Sequence, residues 1–260
     1  MVGMSDSKAE HAARIQDQFS RQALPFAALP AHSNAEGFEL LARSARLGPD
    51  DELLDVACGP GLVACELAPR VKSARGLDVV EPMLEQARAR AARLGLVNVA
   101  FDAGDCTQLP YADGSFSRVV TRYSFHHLLE PALTLREMTR VCRRGGAITV
   151  CDAAPARDKR DAYNRMEKLR DPSHAAALCP EQLEDLFSSQ GLHVYDRAQY
   201  RLEVALEDSL AASFPAPGAA NELREMFEKD LGVDELGVGV TRRGQALWFS
   251  FPIMILSARV

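Results

Sequence analysis

The run Leu53-Leu54-Asp55-Val56-Ala57-Cys58-Gly59-Pro60-Gly61, answered by Gly76-Leu77-Asp78-Val79, holds the residue types that a nucleotide-like ligand requires. An apolar stretch ends in a carboxylate, turns through closely spaced glycines and enters an apolar-periodic segment from Leu62 to Pro69. A second short apolar run then ends at another carboxylate, Asp78. Glycines let a backbone approach a ligand closely, and a helix N-terminus following them faces it. An acid at the end of the second strand can accept from both hydroxyls of a ribose. Gly59-x-Gly61-x-x-Ala64 also fits the dinucleotide fingerprint, and Asp78 follows Gly59 by 19 residues, near the ~20 of nicotinamide-dinucleotide sites. The turn by itself therefore serves two cofactor classes.

Three further runs decide between them: Gly104-Asp105-Cys106-Thr107-Gln108-Leu109-Pro110, Asp113-Gly114-Ser115-Phe116 and Phe125-His126-His127-Leu128. In this order, over roughly residues 50–155, the chain resembles the class I S-adenosylmethionine-dependent methyltransferases. It is most similar to their small-molecule branch, which includes the ubiquinone and menaquinone C-methyltransferases. The resemblance implies that Gly59 and Gly61 pass under the methionine and ribose portion of S-adenosylmethionine, and that Asp78 chelates the ribose diol. It places Val79 and Met83 on either side of the adenine, with Asp105 and the Cys106 N–H on its ring edge. The carbonyls around Thr121 and Arg122 meet the cofactor's ammonium group, and Asp55 orients the glycine turn or contacts the ammonium group indirectly. Gly104 opens the segment that carries Asp105. The family usually has Gly at position 57 and Asp at position 117; this chain has Ala57 and Ser117. Each residue also has a plainer reading. Asp78 suits a helix N-cap before Glu81-Pro82, Asp105 a turn cap with Thr107, and Met83 a core position.

Methyl transfer is an in-line displacement at a sulfonium methyl, so alignment and desolvation are the protein's main contributions. A base is needed only where the nucleophile holds its proton at neutral pH. Tyr123, His126 and His127, just after the fourth strand, are the candidates, with one histidine of the pair expected to hydrogen-bond its own loop. His174 is expected to line a substrate pocket, or else to sit at the surface, and Phe19 and Phe26 are expected to close that pocket, or Phe19 to be core. The chemistry expected is methyl transfer to an aromatic, heterocyclic or quinone-like small molecule, without a metal. The alternatives are an NAD-dependent oxidoreductase using the same turn, and a non-catalytic cofactor-binding scaffold.

The elements that must position these groups follow from periodicity. Strand-like runs fall at 52–58, 74–79, 97–102, 116–124, 147–152, 192–204 and 246–258, with helix-like runs at 61–69, 82–94, 131–143 and 180–190. This alternation predicts a doubly wound Rossmann-like α/β fold, a mostly parallel seven-stranded sheet whose last strand is antiparallel, with helices on both faces and a helical cap. Pro82 opens a helix, and Arg143-Arg144-Gly145-Gly146 is expected to close another. Pro252, inside the last strand, predicts a bulge or an unpaired nitrogen. Residues 8–46 read as helical, with a break at 25–30. Residues 1–48 are assigned to an N-terminal lid and 49–260 to the cofactor-binding domain, with cap segments at about 155–178 and an irregular 207–245.

Composition limits the rest. The 260 residues are 47% hydrophobic and carry a net charge of −6, which argues against nucleic acid or an anionic membrane as a partner. Six scattered cysteines without CxxC spacing read as reduced thiols of a cytoplasmic protein, and residues 1–6 carry no apolar core of a signal peptide. The segment 246–256 is too short to span a bilayer. A monomer and a homodimer are equally consistent with the sequence.

Overall fold

The central strands form where aliphatic runs have apolar partners on both sides. The computed structural model describes residues 7–28 and 34–260, and the side chains of 26–28, Phe26 among them, lie outside the described residues. The strands are β1 (Glu52–Val56), β2 (Ser73–Asp78), β3 (Val99–Ala103), β4 (Phe116–Arg122), β5 (Cys142–Ala153), β6 (His193–Ala205), β7 (Thr241–Arg243) and β8 (Ala246–Arg259). They lie in the order β3-β2-β1-β4-β5-β8-β6, with the three-residue β7 added on β8 beyond the seven expected. Pairing is parallel from β3 to β5, and β8 runs antiparallel between β5 and β6.

The helices are α1 (Lys8–Ala28), α2 (Ala35–Ser44), α3 (Leu62–Leu67), α4 (Glu81–Arg93), α5 (Pro131–Val141), α6 (Arg160–Arg170), α7 (Pro180–Ser189), α8 (Leu206–Ser213) and α9 (Ala219–Asp230). They cover the sheet on both faces. Adjacent residues of β1 show it: Leu53 joins a core with Leu41, Tyr163 and Phe227, whereas Leu54 joins one with Leu77, Leu135 and Phe187. Successive side chains of a strand point to opposite faces, so a strand apolar at both must be covered twice.

Local chemistry moves several boundaries. The helix expected at 61–69 is the six-residue α3, and its Ala64 N–H is taken by the Asp55 carboxylate. Pro25 does not break α1, which runs on to Ala28. A Ser7–Glu10 capping box starts that helix. The segment 143–146 does not close a helix. α5 ends at Val141, and Arg143 to Gly146 already belong to β5, where the register against β4 shifts. The expected irregular stretch 207–245 instead contains α8, α9 and β7, with the Pro/Gly-rich 214–218 as the link between the two helices.

Pro252 interrupts nothing. Its register with β6 is continuous, and its carbonyl accepts from Ala154 N at 2.7 Å. In an antiparallel strand a residue's N and C=O point to the same neighbour. The donorless nitrogen therefore faces the β5 side, where the β5 ladder stops at Ala153.

The turn after β1 is held in the left-handed region at Ala57 (φ 55°), Gly59 (φ 52°) and Gly61 (φ 71°). Their reasons differ. A Cβ on Gly61 would sit 2.8 Å from Ala87 Cβ and 2.9 Å from Phe101 Cζ, whereas one on Gly59 would meet nothing nearer than Met83 Sδ at 4.0 Å. Gly61→Ala is therefore expected to cost about 2–5 kcal/mol, from a left-handed alanine at ~1–2 and overpacking at ~1–3. Gly59→Ala carries only the conformational part, about 1–2 kcal/mol. Urea unfolding of the two variants measures the difference.

Candidate active site

The loops at the carboxyl ends of β1, β2, β3 and β4 meet α1 around a cleft of about 340 Å³. Of the residues singled out from the sequence, Ala57, Gly59, Asp78, Val79, Met83, Gly104, Asp105, Cys106, Arg122, Tyr123, His127 and Phe19 line it. Asp55, Gly61, Thr121, His126 and His174 do not. Asp55 is buried beneath the turn, Gly61 is committed to packing, and Thr121 Oγ1 donates to Val56 O at 2.7 Å under the floor.

The strand-end carboxylates are held by backbone donors. Asp78 Oδ2 accepts from Gly59 N at 2.8 Å and Oδ1 from Val80 N at 3.0 Å; Asp78 is thus not the N-cap of α4, which is Val80, but holds that residue's N–H from the cleft wall. Asp105 Oδ1 accepts from Thr107 N at 2.7 Å and Thr107 Oγ1 at 2.8 Å, which is the turn cap, again at the cleft wall. A carboxylate has about four acceptor sites, so each retains capacity. Burial pushes the Asp55 carboxyl up to about 8, with the Asp78 charge adding to the shift and the Ala64 N–H opposing it. Burial also raises Asp78 against the Val80 and Gly59 N–H groups. Val79 is 54% exposed at the rim although apolar, and Met83 is buried beside Val80 and Ala23. Cys106 is no nucleophile: burial lifts its thiol to about 11.

The histidine pair divides its roles. His126 Nδ1 meets Asp152 Oδ1 at 2.5 Å, while Asp152 Oδ2 accepts from Phe125 N at 2.5 Å. Burial opposes a charge on His126, but Asp152 outweighs it and the pKa rises. His126 O also accepts from Ala175 N and Ala176 N, so this histidine ties its loop to the segment after α6. His127 lines the cleft, with Phe19 edge-on at 4.9 Å. Its Nδ1 lies 3.2 Å from Ser173 O and 3.1 Å from Ser173 Oγ, and its carbonyl accepts from His11 Nε2 at 2.7 Å. Burial, then the neighbouring His126, lowers the ring to about 3. Tyr123, at φ 59°, has its hydroxyl 2.5 Å from Tyr200 Oη, and burial lifts it to about 12, which removes it as a base at neutral pH. His174 is neither on the surface nor in the cleft. It is 4% exposed, with Nε2 on Asn164 Oδ1 at 2.7 Å, and burial drives its pKa far down.

Sequence reading passed over His11, Gln22, Asp152, Asp171 and Ser173. Asp152 had a signal, since it ends an apolar strand as Asp55 and Asp78 do. Asp171 and Ser173 had none, because they reach His127 across 46 residues of chain. Among the described residues no group of three or more metal-ligating side chains is gathered.

The depressed His127 gives folding a pH dependence. The unfolded ring takes up a proton near pH 6.5, whereas the folded one does so only near 3. Between these values the unfolded state binds the extra proton, so stability falls as pH falls. Urea unfolding from pH 6.5 down to 4.5 should lose up to about 1.4 kcal/mol per pH unit from this ring. His127→Gln should flatten that slope.

Residues 54–150 match the methyltransferase-domain family. The chain is 29% identical over 188 residues to the uncharacterized methyltransferase YcgJ of Bacillus subtilis, covering 72% of this chain and 74% of that protein. The YcgJ crystal structure superposes with a TM-score of 0.79 at 23% identity, over 86% of this chain and 97% of that one. Demethylmenaquinone methyltransferase of Mycolicibacterium vanbaalenii is 34% identical over 114 residues, 44% of this chain and 47% of that protein, so the match spans less than half of the relative. The cyclase SpnF shares the fold, with a TM-score of 0.62 at 23% identity over 85% of this chain and 79% of that one. A fold alone therefore does not name the reaction. The motif order, the sheet with its one antiparallel long strand and the methyltransferase relatives together make the chain similar to methyltransferases over residues 54–150, in a fold shared with YcgJ.

Proposed function

We propose that the chain transfers a methyl group from S-adenosylmethionine to a small-molecule acceptor of aromatic, heterocyclic or quinone-like type. The observation that carries this reading is the meeting of the Gly59 turn, Asp78 and Asp105 on one cleft, in a chain whose residues 54–150 match methyltransferases. The chemistry of the lining fits the cofactor. Two carboxylates with spare acceptor capacity suit a ribose diol and an adenine amino group, and the exposed Val79 with Met83 offers apolar walls for a flat base. The open space at Gly59 leaves room for close approach. The main chain of Thr121 and Arg122 would take the ammonium group, and Asp55 would steady the turn below it.

When bound, the cofactor supplies a methyl group made electrophilic by a positively charged sulfur. The chain's residues then align an acceptor and exclude water. α1 supports a lid role for residues 1–48: Lys8, His11, Ile15 and Phe19 line the cleft, and Lys8 pairs with Glu130 at its mouth. α6, α8 and α9 support a cap role for residues 155–178 and 207–245. Six unpaired cysteines support a reducing, cytoplasmic setting. Among the described residues no helix is long and apolar enough to cross a membrane.

Calorimetric titration with S-adenosylhomocysteine tests the assignment. Losing one hydrogen bond from a charged acceptor costs about 1.5–3 kcal/mol, so Asp78→Ala should weaken binding tenfold or more. Asp78→Asn, which keeps one acceptor oxygen, should fall between. Stabilisation of the protein by NAD or NADP, and by neither adenosyl sulfur compound, would overturn the proposal.

A further inference from the structure

Behind the cleft runs a buried chain of hydrogen bonds whose directions are forced. Asp171 ends α6 and is 2% exposed, and Ser173 is fully buried. Asp171 is ionised at neutral pH: its pKa lies below the usual carboxylate value, burial being opposed by His127 when that ring is charged and by Arg170, Ser173 and Gln22 throughout. Asp171 Oδ1 lies 2.5 Å from Ser173 Oγ and 2.9 Å from Ser173 N, and Oδ2 accepts from Gln22 of α1 at 3.1 Å. An ionised carboxylate only accepts, so the single Ser173 hydroxyl proton goes to Asp171. Ser173 Oγ then faces His127 Nδ1 with lone pairs alone, as does the Ser173 carbonyl. Nδ1 must carry the ring's proton. Nε2, on the far side of the ring, is left with a bare lone pair, and His127 lines open space. That space is the main cleft and a smaller cavity of about 70 Å³ walled by Phe19, Gln22, Tyr123 and Asp171.

Resting on the methyl-transfer reading, we propose that Asp171 and Ser173 are positioning residues that fix the His127 tautomer, so that Nε2 selects acceptors carrying an O–H or N–H on the nucleophilic atom. The low proton affinity of the ring suits this role, since His127 stays neutral and accepting across physiological pH. An acceptor without the donor would leave a buried lone pair unpaired, the arrangement that gives the strongest discrimination between isosteres. In the transfer, the nucleophile's electron pair forms the bond to the methyl carbon and the carbon–sulfur pair stays on sulfur. The acceptor's O–H or N–H stays hydrogen-bonded to the neutral Nε2 while the bond forms, and its proton leaves to water with the product.

The test is nitrogen NMR of the full chain labelled at histidine and loaded with S-adenosylhomocysteine. At pH 7 His127 should appear as the neutral Nδ1–H tautomer. Asp171→Asn should mix in the Nε2–H form: the Asn amide can donate to Ser173 Oγ, whose proton then turns to Nδ1 in competition with the Ser173 carbonyl. Ser173→Thr, which keeps the hydroxyl, should preserve the native tautomer, and Ser173→Ala should mix the two forms. Phenol as probe should move the Nε2 resonance, and toluene, of similar shape without the donor, should not. A charged or Nε2–H ring in the native protein, a tautomer indifferent to Asp171→Asn, or equal responses to phenol and toluene would overturn the proposal. If Asp171→Asn does not fold, the Ser173 pair and the phenol comparison decide. A native protein that fails to bind S-adenosylhomocysteine yet shows the Nδ1–H ring would sink the methyl-transfer reading instead.

Discussion

Asp78 joins two loops through one buried carboxylate. One oxygen holds the N–H of Gly59 and the other that of Val80, so the turn after β1 and the start of α4 hang from the end of β2. The same device recurs across the sheet. Asp55 holds Ala64 N, and Asp152 holds Phe125 N and His126 N. A buried carboxylate is costly unless hydrogen-bonded, and a buried loop N–H is costly unless it finds an acceptor. Each cost offsets the other at these strand ends. The groups that shape the cleft are thus the groups that hold its loops, and a substitution there acts on both fold and site.

How much was legible follows from how locally each feature is encoded. The alternation from β1 to β5 was readable because strands buried on both faces are continuous apolar runs, broken by glycine turns and helix starts such as Pro82 and Pro131. α8 and α9 were read as irregular because Pro215, Pro217 and Gly218 dominate the stretch. Yet Leu206 and Leu210, then Leu223 and Phe227, recur at helical spacing and are all buried. Ser117, where the family has Asp, is explained only in three dimensions. Its hydroxyl donates to Asp51 Oδ1 at 2.7 Å and receives Glu52 N at 2.8 Å, tying the start of β4 to the start of β1.

The site was legible in halves. The cleft-lining residues after β1 to β4 lie at consecutive strand ends, so spacing found them. Asp171 and Ser173, after α6, are brought in by packing alone. Nothing in the sequence separates His126 from His127. Asp152 beside one ring and Ser173 beside the other make the first a loop anchor and the second the ring that lines the cleft. α1 completes the enclosure from the far end of the chain: His11 donates to the His127 carbonyl, and Gln18 and Gln22 donate to Ser213 O at the end of α8.

β8 runs between β5 and β6, and it is the last strand in chain order. Among the described residues β6 finds its sheet partner only in β8, which starts about 40 residues after β6 ends. At synthesis rates of about 5–20 residues per second, the nascent chain carries β5 and β6 with open edges for several seconds. An unpaired strand edge is a template for pairing with other chains. The sheet therefore closes by insertion of a late strand rather than by growth from one side, and the interval before that insertion is when the newborn chain is most exposed to aggregation and to chaperone capture.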